Sequence, residues 1–201
     1  MGTYIKYLKK FEQPVKKRGL TITVTGLSGS GKSTIAEAIA KAFKLKTFNA
    51  GDLQRKFARQ KKITLDQASK ILPKEIDYQM DKAVLEKAIR GGYVLTGRLS
   101  AWTAGDWADC KVFVDCQKRI RIIRIARRDN LTIKEATKKV NQRDQADIKR
   151  YRKLYKINVN QRSIYDLFIK NNKPGREKIK KETVKKVKDY LNNLDTKLKK
   201  E

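Results

Sequence analysis

Gly26-Leu27-Ser28-Gly29-Ser30-Gly31-Lys32-Ser33-Thr34 fits the phosphate-binding pattern G-x-x-x-x-G-K-[ST]. Its flanks support that reading. Leu20-Thr21-Ile22-Thr23-Val24-Thr25 is apolar or β-branched, as a buried strand requires. Ile35 to Phe43 is Ala-rich, with apolar residues at helical spacing. Glycines let a backbone wrap a phosphate with its N–H groups pointing inward, and a helix N-terminus adds partial positive charge at the same place. Lys32 is then placed to reach the β- and γ-phosphates of a nucleotide, and Ser33 to offer its hydroxyl to Mg²⁺. A plain glycine turn would join strand to helix equally well, but it needs neither the lysine nor the hydroxyl.

The chain has 201 residues, enough for one α/β domain with a sizeable core. Fifty basic residues against 21 acidic give a net charge of +29. The excess is spread widely. Residues 1–18 hold six basic and one acidic residue, residues 171–201 hold eleven and five, and the body between them carries the remaining 33 and 15. Such a field attracts polyanions, including nucleotides and RNA. There is no histidine, which excludes histidine bases, histidine metal sites and Ser-His-Asp triads. Cys110 and Cys116 lack C-x-x-C spacing and read as buried thiols of a reducing compartment. No apolar run approaches membrane-spanning length and no signal peptide is evident, so a soluble, cytoplasmic protein that does not engage membranes is expected.

Residues 1–18 read as a basic extension with a short helix around Tyr4 to Phe11. Lys46 to Asn49 reads as a second strand, followed by a helix from Asp52 to about Gln60. Thr64 with Gln67 forms a capping box for a short helix to Ile71, and Pro73 opens a longer helix that Gly91-Gly92 ends after Arg90. Tyr93 to Thr96 is a strand and 100–109 a loop, in which Trp102 and Trp107 serve as anchors. Lys111 to Asp115 is a strand, and a helix runs from Gln117 to about Arg128. Thr132 with Glu135 forms a second capping box, for a helix reaching about Tyr155. Ile164 to Ile169 is the last strand, 176–194 a C-terminal helix, and 195–201 a frayed end. Tyr78 and Tyr155 stay open between packing and base stacking. Alternating strands and helices imply a parallel sheet of about five strands with helices on both faces, binding ligands at the carboxyl ends of its strands.

Phosphoryl transfer needs positive charge placed around the moving group, and arginine supplies paired donors for phosphate. The candidates are Arg55 and Arg98 after strand ends and Arg127-Arg128 at a helix end. Arg143, Asp147 and Arg150 lie at i, i+4 and i+7 on one helical face. That set reads either as a phosphate clamp or as a solvated face with one intrahelical ion pair.

The order of parts resembles the nucleoside monophosphate kinases, and among them the cytidylate kinases of the short archaeal type, over about residues 20–172. The matches are GLSGSGKST at 26–34, NAGDLQR at 49–55, PKEIDYQMD at 73–81, GRL at 97–99, RIARRD at 124–129, RDQADIKRY at 143–151 and YDLFI at 165–169. The resemblance implies a P-loop three-layer α/β fold at 19–175, with a helical acceptor-binding insertion at 51–90, a helical lid at 128–157 and a basic C-terminal helix at 176–201. It implies an enzyme that phosphorylates CMP or dCMP with ATP and Mg²⁺. Gly26, Ser28, Gly29, Ser30, Gly31, Lys32, Ser33 and Thr34 would then bind ATP. Arg55 and Arg98 would hold the acceptor phosphate, and Asn49, Asp77 and Asp147 would lie near its base or ribose. Lys32, Arg128, Arg143 and Arg150 would carry catalysis, and Ser33 would meet the metal. Thr96 stands where the family has an acid, Asn49 where it has a serine and Gln54 where it has an aromatic. The loop nonapeptide is also similar to that of adenylylsulfate kinases, without their other segments. The alternative is an RNA- or ribosome-associated ATPase or kinase of the same fold, which the basic surface would suit. A monomer is expected.

Overall fold

In the computed structural model, residues 19–63, 67, 74–158, 161–173 and 175–198 are described. Five strands form one sheet: β1 (Thr21–Thr25), β2 (Lys46–Asn49), β3 (Tyr93–Gly97), β4 (Cys110–Asp115) and β5 (Leu167–Lys170). Their order is β2-β3-β1-β4-β5 and every pairing is parallel. The helices are α1 (Lys32–Phe43), α2 (Gly51–Gln60), α3 (Lys74–Arg90), α4 (Ser100–Ala104), α5 (Lys118–Asp129), α6 (Ile133–Tyr155) and α7 (Arg176–Leu198).

The Thr-Ile-Thr-Val-Thr sequence of β1 explains how the middle of the sheet is covered. Ile22 and Val24 face a core that α1 completes with Ile35 and Ile39 and α7 with Val187. The threonines are buried as well, and Thr21 and Thr25 satisfy their hydroxyls with the helices packed on the sheet, whereas the Thr23 hydroxyl has no hydrogen-bond partner among the described residues. Thr21 Oγ1 donates to the Ala88 carbonyl of α3 at 3.0 Å, and Thr25 Oγ1 pairs with Ser100 Oγ of α4 at 3.2 Å. On the α3 side a second apolar cluster gathers Leu95, Val84, Ala88 and Ala104. Alternation of Val94 and Leu95 between the two clusters is the period-2 rule at work. α5 and α6 form a hairpin closed by Ile125, Ala126, Ala136 and Val140. The Thr132–Glu135 capping box that opens α6 forms as expected.

Three expectations need correction. The segment 100–109 is not a loop: it holds α4 and a 3₁₀ turn at Gly105–Trp107, because Ala101, Thr103 and Ala104 can be buried only if the backbone bonds within itself. Trp102 and Trp107 are packed into apolar clusters there, as anchors. The last strand spans Leu167–Lys170 rather than starting at Ile164, since Tyr165 N–H already turns back to the Arg162 carbonyl at 3.1 Å. The C-terminal helix continues to Leu198, four residues beyond the expected end. The expected helix near Tyr4, the Thr64–Ile71 helix with its capping box, and Pro73 lie outside the described residues. Cys110 and Cys116 are buried free thiols, and burial pushes Cys110 up to about 12. Among the described residues no helix is long and apolar enough to cross a membrane.

Candidate active site

The loop between β1 and α1 lies at the carboxyl end of the central strand, on the floor of a large cleft. Gly29 and Gly31 take φ of 79° and 89°, a region open to glycine and costly for other residues. A Cβ at 31 would also push the Asn171 amide off its place beside the loop. The carbonyls of the loop are clasped from outside. Arg121 Nη1 donates to Ser28 O at 3.1 Å, Arg124 Nη1 to Ser30 O at 3.3 Å, and Asn171 Nδ2 to Ser30 O at 2.8 Å. A trans peptide points its N–H opposite to its C=O, so this clasp aims the amides of Gly29 and Gly31 the other way, into the loop. Helix α1 begins at Lys32 with no side-chain cap. Its first N–H groups and its dipole therefore face the cleft as an anion site.

Lys32 is the centre of charge. Its Nζ rests 3.5 Å from the Leu27 carbonyl of the same loop. Burial, then the fields of Arg98, Arg143, Arg128 and Arg55, lower its pKa to about 7. Those four arginines come from the β3–α4 connection, α6, α5 and α2, so the tertiary fold assembles what the sequence scatters. Arg150, the other arginine marked in the sequence, is used differently: its guanidinium holds Asp77 of α3, with Nε donating to Oδ2 at 2.9 Å. Asp147 pairs with Arg98. On the face Arg143-Asp147-Arg150, Asp147 and Arg150 therefore make ion pairs with residues of other elements.

A family model described as an AAA domain matches residues 22–149. The cytidylate kinase of Pyrococcus horikoshii is 39% identical over 159 residues, covering 78% of this chain and 82% of that protein. The cytidylate kinase of Staphylothermus marinus is 36% identical over 161 residues, covering 79% and 91%. The chain belongs to the cytidylate kinase family. A gluconokinase from Sinorhizobium meliloti superposes with a TM-score of 0.61 at 18% identity, over 90% of this chain and 99% of that one, and bears on the fold alone.

Of the remaining positions marked in the sequence, Asn49 accepts from the Gly51 N–H on its Oδ1 at 3.1 Å, at the start of α2. Thr96 is buried at the end of β3, and its hydroxyl has no hydrogen-bond partner among the described residues. Arg55 is held by Asp52 one turn earlier on an exposed face, Nε to Oδ1 at 3.0 Å. Arg128 braces against Asp129 at 2.7 Å.

Sequence reasoning missed Arg121, Arg124, Asp144, Asn171 and Asp81. Arg121 is buried, and besides Ser28 it grips Asp144 of α6 through Nη1 at 3.3 Å and Nη2 at 2.6 Å. A faint signal was present: the arginines of Arg121-Ile122-Ile123-Arg124-Ile125 recur at i, i+3 among isoleucines, which places charge beside a buried stripe.

The charge on Lys32 leads to a binding prediction for this cytidylate kinase family member. At pH 8 a lysine of pKa about 7 is mostly neutral, and a bound triphosphate favours the ammonium form. ATP binding at pH 8 should then take up close to one proton, an uptake that fades towards pH 6, where the lysine is already charged. Calorimetry in two buffers of different ionisation enthalpy measures this. Zero uptake at pH 8 would contradict the placement of Lys32 against phosphate.

Proposed function

We propose that this chain transfers the γ-phosphoryl group of ATP to CMP or dCMP, giving ADP and the nucleoside diphosphate. One observation carries the reading: Lys32 of the glycine loop lines one cleft together with Arg55, Arg98, Arg128 and Arg143, brought there from four separate elements. Basic side chains gathered in one cleft favour a polyanion such as a nucleotide. The curated relatives are named for cytidylate kinase activity, which favours this reading over an RNA- or ribosome-associated ATPase.

In this reading the loop amides and Lys32 hold the triphosphate, with Gly26, Ser28, Ser30 and Thr34 shaping the loop. Arg55, on an acceptor-binding insertion spanning 51–90, and Arg98, just after β3, receive the acceptor phosphate. Arg128, Arg143 and Arg150 close from a lid spanning 128–157, with Asn49, Asp77 and Asp147 near the acceptor's sugar or base. An oxygen of the acceptor phosphate bonds to the γ-phosphorus while the bond to the β–γ bridging oxygen breaks, and its electrons stay on ADP. The attacking oxygen is already an anion, so no general base is required. The cations stabilise charge on the transferring group, and closure excludes the water that would otherwise accept it.

Among the described residues no three His, Cys, Asp or Glu side chains group to hold a metal. Mg²⁺ suits such a site, because it keeps several waters and binds through substrate phosphates with few protein oxygens. The Ser33 hydroxyl would be the protein's ligand, and the ion supplies charge neutralisation along the phosphates.

The test is ADP release with ATP·Mg²⁺ against CMP, dCMP, UMP, AMP and GMP, with the diphosphate product identified directly. Turnover with CMP or dCMP is expected. Absence of any nucleoside diphosphate would sink the reading.

A further inference from the structure

The acceptor side of the cleft contains a buried carboxylate that the transfer chemistry does not use. Asp81 of α3 is 7% exposed and lines the cleft with Met80, Val84, Leu99 and Tyr151. Its Oδ1 accepts from Thr103 Oγ1 at 3.1 Å and its Oδ2 from the Tyr155 hydroxyl at 2.6 Å. These partners sit on α4 and α6, so the carboxylate is fixed from two sides. Asp77, one helical turn earlier, is engaged by the Arg150 guanidinium. Asp81 accepts instead from two hydroxyls, and a carboxylate with about four lone-pair positions has acceptor capacity left after two such bonds.

The groups around it sharpen the contrast. Burial, with the like charge of Asp77, pushes Asp81 up to about 7, against the pull of the Tyr155 and Thr103 hydroxyls. Tyr151 feels the same Asp77 and Asp81 together with Arg98 and Arg150, so these groups share one charged neighbourhood. Burial leaves this acceptor short of polar partners, and an N–H donor brought in by a ligand would supply one. The walls beside it are apolar, as a flat heterocycle requires.

We propose that Asp81 is the residue that reads position 4 of the acceptor's pyrimidine, accepting a hydrogen bond from the exocyclic amino group of cytosine and excluding the 4-oxo group of uracil. This rests on the kinase reading above and goes beyond it by assigning base choice to one side chain. Carboxylates accept well from the cytosine amino group. A uracil in the same pose sets its carbonyl oxygen against the carboxylate and leaves two buried acceptors facing each other, an arrangement that buried sites reject strongly. Thr103 and Tyr155 are positioning residues that aim the carboxylate.

The experiment compares kcat/KM of the intact chain at pH 8.5, where Asp81 is ionised, for CMP, UMP and the pyrimidin-2-one nucleotide that lacks any 4-substituent. Wild type is expected to favour CMP over each by roughly 100-fold or more. Asp81→Asn keeps the shape and adds an N–H donor, and it should cut the preference for CMP over UMP to about tenfold or less. Should that variant not fold, Thr103→Val replaces it, and about a tenfold fall in the ratio is expected from the loosened carboxylate. Phosphorylation of CMP with the three bases within about threefold of one another overturns the assignment and leaves the kinase reading standing. So does an unchanged ratio in a folded variant. Failure to phosphorylate any pyrimidine monophosphate overturns the kinase reading itself.

Discussion

Lys32→Ala is expected to lower kcat for CMP by about 10³-fold, the scale on which one preorganised cationic or hydrogen-bonding group contributes to charge developing in a transition state. The same variant should melt at a higher temperature than wild type at pH 6 in the absence of nucleotide. The sign follows from the depressed pKa of about 7. Below that value the folded protein carries a poorly solvated ammonium among four arginines, whereas the unfolded chain solvates it freely. The charged lysine therefore opposes folding, and the penalty eases as pH rises from 7 towards the ordinary lysine value. Removing it relieves the free protein and cripples the reaction. Initial rates and thermal melts on one preparation check both, and a variant losing activity and stability together would point to misfolding instead.

Arg121→Ala should produce the largest stability loss of any single change near the site. Arg121 is 3% exposed and bridges three elements: its own α5, the Ser28 carbonyl of the loop, and Asp144 of α6. Truncation leaves the Asp144 carboxylate without its guanidinium and the Ser28 carbonyl without its donor, an arrangement that costs about 3–5 kcal/mol when the pair is buried. Asp144 keeps some solvent access, with a side-chain exposure of 15%, so the lower end applies. For a chain of this size that corresponds to a melting temperature lower by roughly 6–12 °C. The Arg121→Ala, Asp144→Ala double variant should recover part of the loss, because the orphaned charge is gone. A double variant no better than the single one would show that the arginine acts by packing alone. KM for ATP is expected to rise in both, since the loop loses one of the donors that turn its amides inward.

The nucleotide loop was legible because its signal is local. The glycines, the lysine and the hydroxyl stand within nine residues, and the flanking strand and helix each announce their own period. The capping box at Thr132 and Glu135 was legible for the same reason. Arg98 and Arg143 could be nominated from the sequence, but their meeting at Lys32 could not, because they approach from elements far apart in the chain. Arg121 had only the faint i, i+3 recurrence with Arg124 to mark it, because its partners are distant in the chain: Ser28, 93 residues before it, and Asp144, 23 after. Asp81 was visible within PKEIDYQMD, yet nothing in that stretch says that Asp77 is taken by an arginine while Asp81 is held by hydroxyls. The helix at Ser100–Ala104 was missed because five residues are too few to show a helical period, and burial rather than propensity makes them helical.

The pairs Arg98–Asp147 and Arg150–Asp77 cast the free enzyme in a particular light. Two guanidiniums proposed to meet phosphate each pair with one of the protein's own carboxylates. In that reading these carboxylates are stand-ins for phosphate, and the strength of substrate binding is the difference between two anions competing for the same arginines. A small free phosphate offers little to tip that competition. A nucleotide adds the contacts of its sugar and base, and with them the means to displace the stand-ins and bring both arginines into play at once.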